Sequence, residues 1–136
     1  MSRVQGWEQA LVRCTIAKMR EPWRWGWHDC AIFAADCILA VTGDDMAEDF
    51  RGQYETESEA WHFLASLGYE DLGQLASARL PEIKPRDMQR GDVALAKGEL
   101  GDFLAICDGA TIIGPVAPRG IRHSPISIAM RAWKVG

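Results

Sequence analysis

Cys30 is the residue of this chain best placed to do chemistry. It directly follows His28 and Asp29 and opens the apolar run Ala31 to Val41, so it falls at the first turn of a buried helix. Unsatisfied backbone N–H groups and the helix dipole favour a thiolate over a thiol there. Cysteine is also a small apolar side chain that is common in cores, and both readings of Cys30 stand at this point. Asp29 reads as the helix cap, a contribution of about 1 kcal/mol. Nucleophilic catalysis by Cys30 requires a base within hydrogen-bond reach and a group to orient that base. Of the three histidines, His28 lies in the approach loop, His62 on the surface of a helix beside Trp61, and His123 in a loop between strands. No spacing singles one of them out as a base.

The remaining cysteines, Cys14, Cys37 and Cys107, occupy apolar positions and read as core. No two of the four form a CxxC pair, so the spacing gives no zinc ribbon, cluster motif or disulfide framework. Free thiols are expected, with neither metal nor cofactor.

The elements that must position Cys30 follow from periodicity. Val4, Trp7, Ala10, Leu11 and Cys14 recur at helical spacing, which predicts a first helix over Arg3 to Met19, closed by Pro22. Trp23, Trp25 and Trp27 alternate with Arg24 and Gly26 in an ordered loop that leads into Asp29. The helix from Asp29 ends at Gly43, apolar nearly all round and therefore central. Asp44 to Gly52 is a short helix or loop. Thr56 followed by Glu59 is a capping-box signature for a helix through Leu67, with Gly68 after it. A short helix over Leu72 to Leu80 is broken by Pro81 to Pro85. The period then changes. Val93 to Ala96, Phe103 to Cys107 and Thr111 to Ile113 are short apolar runs, separated by turns at Lys97 to Gly101 and Asp108-Gly109. A last strand falls within Ile128 to Val135. Helices first and strands afterwards predict an α+β domain with helices on one antiparallel sheet.

The 136 residues, 48% hydrophobic and 25% charged, fit one globular domain spanning 1–136. A formal charge of −4 gives no footprint for a polyanion, so nucleic acid is not an expected partner. There is no apolar run of the roughly 18 residues that a bilayer span needs, and no membrane partner is expected. Glu8, Arg13 and Lys18 interrupt any signal-peptide pattern in Met1 to Arg20, so an extracellular role would need a route such as cell lysis.

The run Trp25-Gly26-Trp27-His28-Asp29-Cys30-Ala31-Ile32-Phe33, and later Arg90-Gly91-Asp92-Val93-Ala94-Leu95, resembles the NlpC-type branch of the papain-like cell-wall cysteine peptidases. The opening helix with Trp7, Ala10 and Leu11 is similar to that family's first helix. The closing Arg131-Ala132-Trp133-Lys134-Val135-Gly136 resembles the end of small members encoded in tail modules of phages and gene-transfer agents. The resemblance implies a papain-like fold with Cys30 at the nucleophile position. It also implies a departure. Where active members carry a histidine opening the second strand, Asp102-Phe103-Leu104-Ala105-Ile106-Cys107-Asp108-Gly109 places Phe103. The orienting position falls on Ile113 or Gly114, and neither side chain can orient an imidazole.

Loss of a triad member removes orders of magnitude of rate. The degenerate pattern therefore implies a structural component of a phage-like tail tip or baseplate, made in the host cytoplasm and carried in the virion, that binds neighbouring hub proteins. The alternative is an active peptidoglycan-cleaving endopeptidase or amidase with Cys30 as nucleophile, rescued by His28 or His123. A third reading is thiol-independent binding of peptidoglycan peptides in the groove. The six tryptophans serve either as interface anchors or as core and loop packing.

Overall fold

The computed structural model describes residues 1–136. Four helices come first: α1 (Trp7–Lys18), α2 (Cys30–Thr42), α3 (Glu57–Ser66) and α4 (Leu72–Arg79). They are followed by β1 (Glu82–Ile83), β2 (Val93–Gly98), β3 (Gly101–Cys107), β4 (Thr111–Pro115), β5 (Ile121–Pro125) and β6 (Ala129–Trp133). The strands form one antiparallel sheet in the order β1-β6-β2-β3-β4-β5. The architecture is α+β, with the N-terminal helices packed on the C-terminal antiparallel sheet.

Helix α2 is central because its sequence leaves it no polar face except at Asp36. Ile32, Phe33 and Val41 are completely buried, worth about 2 kcal/mol each in removed apolar surface. Asp29 caps its start by accepting the Ile32 N–H, and Gly43, at φ 82°, donates to Leu39 O in a left-handed stop. At the head of α3 the Thr56 hydroxyl accepts the Glu59 N–H at 3.1 Å. The Glu59 carboxylate reaches one residue further back than a capping box requires, to the Glu55 N–H at 2.9 Å.

The pleat sorts the strands into two faces. Val93, Leu95, Leu104, Ile106 and Ile113 join α2 in the main core. Ala94, Ala96, Ala105 and Ile112 form a second cluster on the far face, covered by Met88, Phe103, Ile126 and Ala129. The register pairs Leu95 with Leu104 and Ala96 with Phe103, so Phe103 shares the far face with the alanines.

Three elements differ from the sequence expectation. α1 begins at Trp7 and not at Arg3, because Gly6 adopts φ 77° and breaks the helical path. This frees Arg3 for the opposite end of the chain. Its guanidinium donates to Arg90 O, to Asp92 at 3.0 Å and to Val135 O at 2.9 Å. Asp92, itself buried, also accepts the Val135 N–H, so one carboxylate ties both termini to the start of β2. Within the Pro81 to Pro85 break, Glu82–Ile83 pairs with β6 as a short edge strand. Finally, His123 lies on β5, not in a loop. Ile121–Pro125 carries too many polar side chains to read as a strand, yet it pairs residue for residue with β4.

A charge network fastens the loop after α2. Asp36 receives Arg51 at 2.8 Å and Lys18 at 3.5 Å, while Asp45 receives Arg51 at 3.0 Å. The segment between Asp44 and Tyr54 is thereby held against α1 and α2.

Candidate active site

The site is built around Asp29, which is 2% exposed. One carboxylate oxygen accepts the Ile32 N–H at 2.9 Å and the other accepts the Gly26 N–H at 2.9 Å and the Tyr54 hydroxyl at 2.8 Å. The chain needs glycine at position 26. Its φ is +83°, and a Cβ there would collide with the Tyr54 carbonyl. Gly26 O in turn accepts the Gly52 N–H, so the tryptophan loop, the head of α2 and the Tyr54 segment close on one another. Burial and the Asp29 carboxylate push the Tyr54 phenol up, and it remains a hydrogen-bond donor.

Cys30 follows Asp29 as the first residue of α2. Its sulfur faces the backbone N–H groups of Leu104, Ala31 and Cys30 itself, all of which favour a thiolate. Burial, the largest cause, and the adjacent Asp29 charge outweigh them and push the thiol up to about 12. Cys30 is therefore a neutral thiol across the physiological range.

Neither histidine proposed as a rescuing base reaches it. His123 Nδ1 stands 3.2 Å from the Thr111 hydroxyl and 3.6 Å from Asp108. Asp108 is four residues beyond Leu104, about 13 Å along an extended strand. His28 is buried at 3% exposure and turns the other way, edge-on to Phe33 with Nδ1 3.3 Å from Glu21. Neither ring nitrogen of His28 makes a hydrogen bond, and burial lowers its pKa. His62 is on the exposed side of α3.

The two other positions of the expected triad are also apolar. Phe103 packs on the far-face alanines, and its ring lies beside Gly98. The pleat therefore turns Asp102 and Leu104, not Phe103, to the face of β3 that packs against α2. Ile113 is core. A Cβ at Gly114 would stand 3.3 Å from Leu104 O, so the strand geometry favours glycine. Of the remaining thiols, Cys37 is pushed well up by its hydrogen bond to Cys14 and by burial. Cys107 is buried on β3.

Cys30 lies in a cavity of about 420 Å³ whose walls include Trp23, Trp25, Tyr54, Trp61, Leu64 and Phe103. Trp23 and Trp25 meet edge to face with ring centroids 5.0 Å apart. The tryptophan loop is legible in the sequence, whereas Tyr54 and Trp61 as wall residues are not. Tyr54 carries no periodic signal, and Trp61 reads as one more helical residue.

A family model described as "Domain of unknown function (DUF6950)" matches residues 2–135. Among solved structures, the NlpC/p60 domain of the peptidoglycan hydrolase SagA is similar in fold, with a TM-score of 0.56 and 17% identity. That alignment covers 93% of this chain and 97% of the other. No curated protein matches the chain.

Two outcomes follow for the residues around the site. Asp29→Ala, which strands two buried N–H groups and the Tyr54 hydroxyl, is expected to lower unfolding free energy by about 3 kcal/mol, and Tyr54→Phe by about 1 kcal/mol. Urea denaturation measures both, and equal losses would contradict the placement of Asp29 as the hub. The second outcome concerns His28. Its folded pKa lies below the unfolded value of about 6.5, so the unfolded state binds more protons between the two values. Stability is full above about 6.5 and falls as pH drops towards the folded pKa. The urea midpoint should decline over that window and decline less in His28→Phe; an unchanged slope in the variant would contradict the assignment.

Proposed function

We propose that this chain, which belongs to the DUF6950 family, is a catalytically silent protein on an NlpC/p60-type scaffold that assembles into the tail tip or baseplate of a phage-like particle. The observation that carries the silent reading is the state of Cys30. It keeps the nucleophile's place at a helix start, but its thiol is held near 12 and no imidazole stands in reach. A peptidase of this kind needs a thiolate at neutral pH and a base that later protonates the leaving amine. This pocket supplies neither.

The tail setting is supported by the resemblance of the motif order and of the closing Arg131 to Gly136 run to small tail-module proteins. In that setting the chain is made in the host cytoplasm, carried in the virion and bound to neighbouring hub proteins. Assembly is supported by its surface. Val12, Ile16 and Met19 form an exposed apolar stripe along α1, and Trp27 and Trp61 are both nearly half exposed. Tryptophans at that exposure are strong candidates for interface anchors.

A second reading, an active peptidoglycan endopeptidase or amidase, is favoured by one observation. The Cys30 sulfur still faces three backbone N–H groups and still opens into a cavity. Turnover of peptidoglycan stem peptides by the intact chain separates the two. The expected result is no hydrolysis above that of Cys30→Ala, together with recovery of the chain in purified tail particles. Hydrolysis that vanishes in Cys30→Ala would transfer the function to the second reading, and particles lacking the chain would remove the tail assignment.

A further inference from the structure

The cavity above Cys30 has walls of a particular chemistry. Trp23 and Trp25 stand edge to face on one side, and Trp61 of α3 lies on another. Glu57 lines the same cavity, and it is placed four residues before Trp61, so both project from one face of α3. The β2–β3 hairpin contributes Glu99 and Asp102 to the same lining. None of these three carboxylates forms an ion pair or a side-chain hydrogen bond within the chain. The fourth acid in the wall, Asp29, is already engaged by three donors of the chain. Against them stands a single cation in the lining, Arg122 of β5, so the wall keeps an excess of negative charge.

Indole faces attract cations through their quadrupole, and unpaired carboxylates at the rim add to that attraction. An apolar floor accepts an alkyl stem, while the rim accepts a charged head. The volume of about 420 Å³ is that of a site for an extended ligand and exceeds what one small ion fills. Leu100, 99% exposed at the hairpin tip beside the opening, offers apolar cover for residues flanking the charge.

From this charge complementarity we propose that the cavity is a docking pocket for a lysine side chain and its apolar flanking residues, presented by an extended segment of a partner protein. The proposal rests on the reading of the groove as non-catalytic. The lysine stem lies against Trp23 and Trp25, and the ammonium lies between Glu57 on α3 and Glu99 and Asp102 on the hairpin. The pocket thus selects a partner by charge and by reach.

Calorimetric titration of the intact protein tests this with four probes: acetyl-Leu-Lys-Leu-amide, the same peptide with norleucine or glutamate at the centre, and free butylammonium. The lysine peptide should bind saturably at one site, about tenfold or more tighter than the norleucine peptide. Glutamate should not bind. Added salt should weaken the lysine peptide, as should Glu57→Gln and, on a separate element, Asp102→Asn. Norleucine binding as tightly as lysine, no saturable binding, or no effect of either substitution would overturn the proposal. Butylammonium binding as tightly as the peptide would overturn the assignment to a protein segment. Mass analysis of the recovered peptide keeps the two failures apart: cleavage overturns the silent reading and leaves the charge preference standing.

Discussion

The buried carboxylate of Asp29 is the constraint on which the site depends. It gathers the Gly26 N–H from the tryptophan loop, the Ile32 N–H from the head of α2 and the hydroxyl of Tyr54 from the loop beyond α2. A buried charge is tolerated when it is hydrogen-bonded, and here both carboxylate oxygens accept, from three donors in all. Those bonds hold three segments in one geometry, with Cys30 next in sequence and pointed at β3. The same charge that places the sulfur also opposes its ionisation. In a site with an imidazolium beside the sulfur, that opposition would be offset. Without one, the thiol stays neutral.

The rest of the fold protects this arrangement. α2 is enclosed by the main core, so its start cannot shift without opening Ile32 and Phe33 to water. Arg3 and Asp92 bind both chain ends to the start of β2. The loop that carries Tyr54 is fastened by Arg51, three residues before it, through Asp36 and Asp45. The fold leaves a groove beside the start of α2. Indole and carboxylate side chains line that groove.

Much of this was legible in the sequence because the governing signals are local. The cap at Asp29, the stop at Gly43, the Thr56 cap and the two hairpin turns each depend on a few neighbouring residues, and each stands where the pattern put it. The resemblance to NlpC-type proteins came from short motifs in order, and the fold agrees with it. What could not be read depends on tertiary packing. β5 is a strand because β4 offers it a ladder, although Arg122 and His123 do not alternate in an apolar pattern. His28 is buried edge-on to Phe33 with Glu21 beside its ring, contacts that its place in the approach loop does not reveal. The face on which Phe103 lies was fixed by the register with Ala96, a one-residue matter that reverses every side chain of a strand.

The ionisation of Cys30 is the most direct test of this account. Selective carbon-13 labelling of cysteine Cβ, assigned with Cys30→Ser, would follow each thiol by nuclear magnetic resonance across pH. The account predicts that the Cys30 signal stays at its thiol position through neutral and mildly alkaline pH, consistent with ionisation only near about 12. A thiolate signal at neutral pH would contradict it, and would mean that a cationic partner for the sulfur survives in the groove.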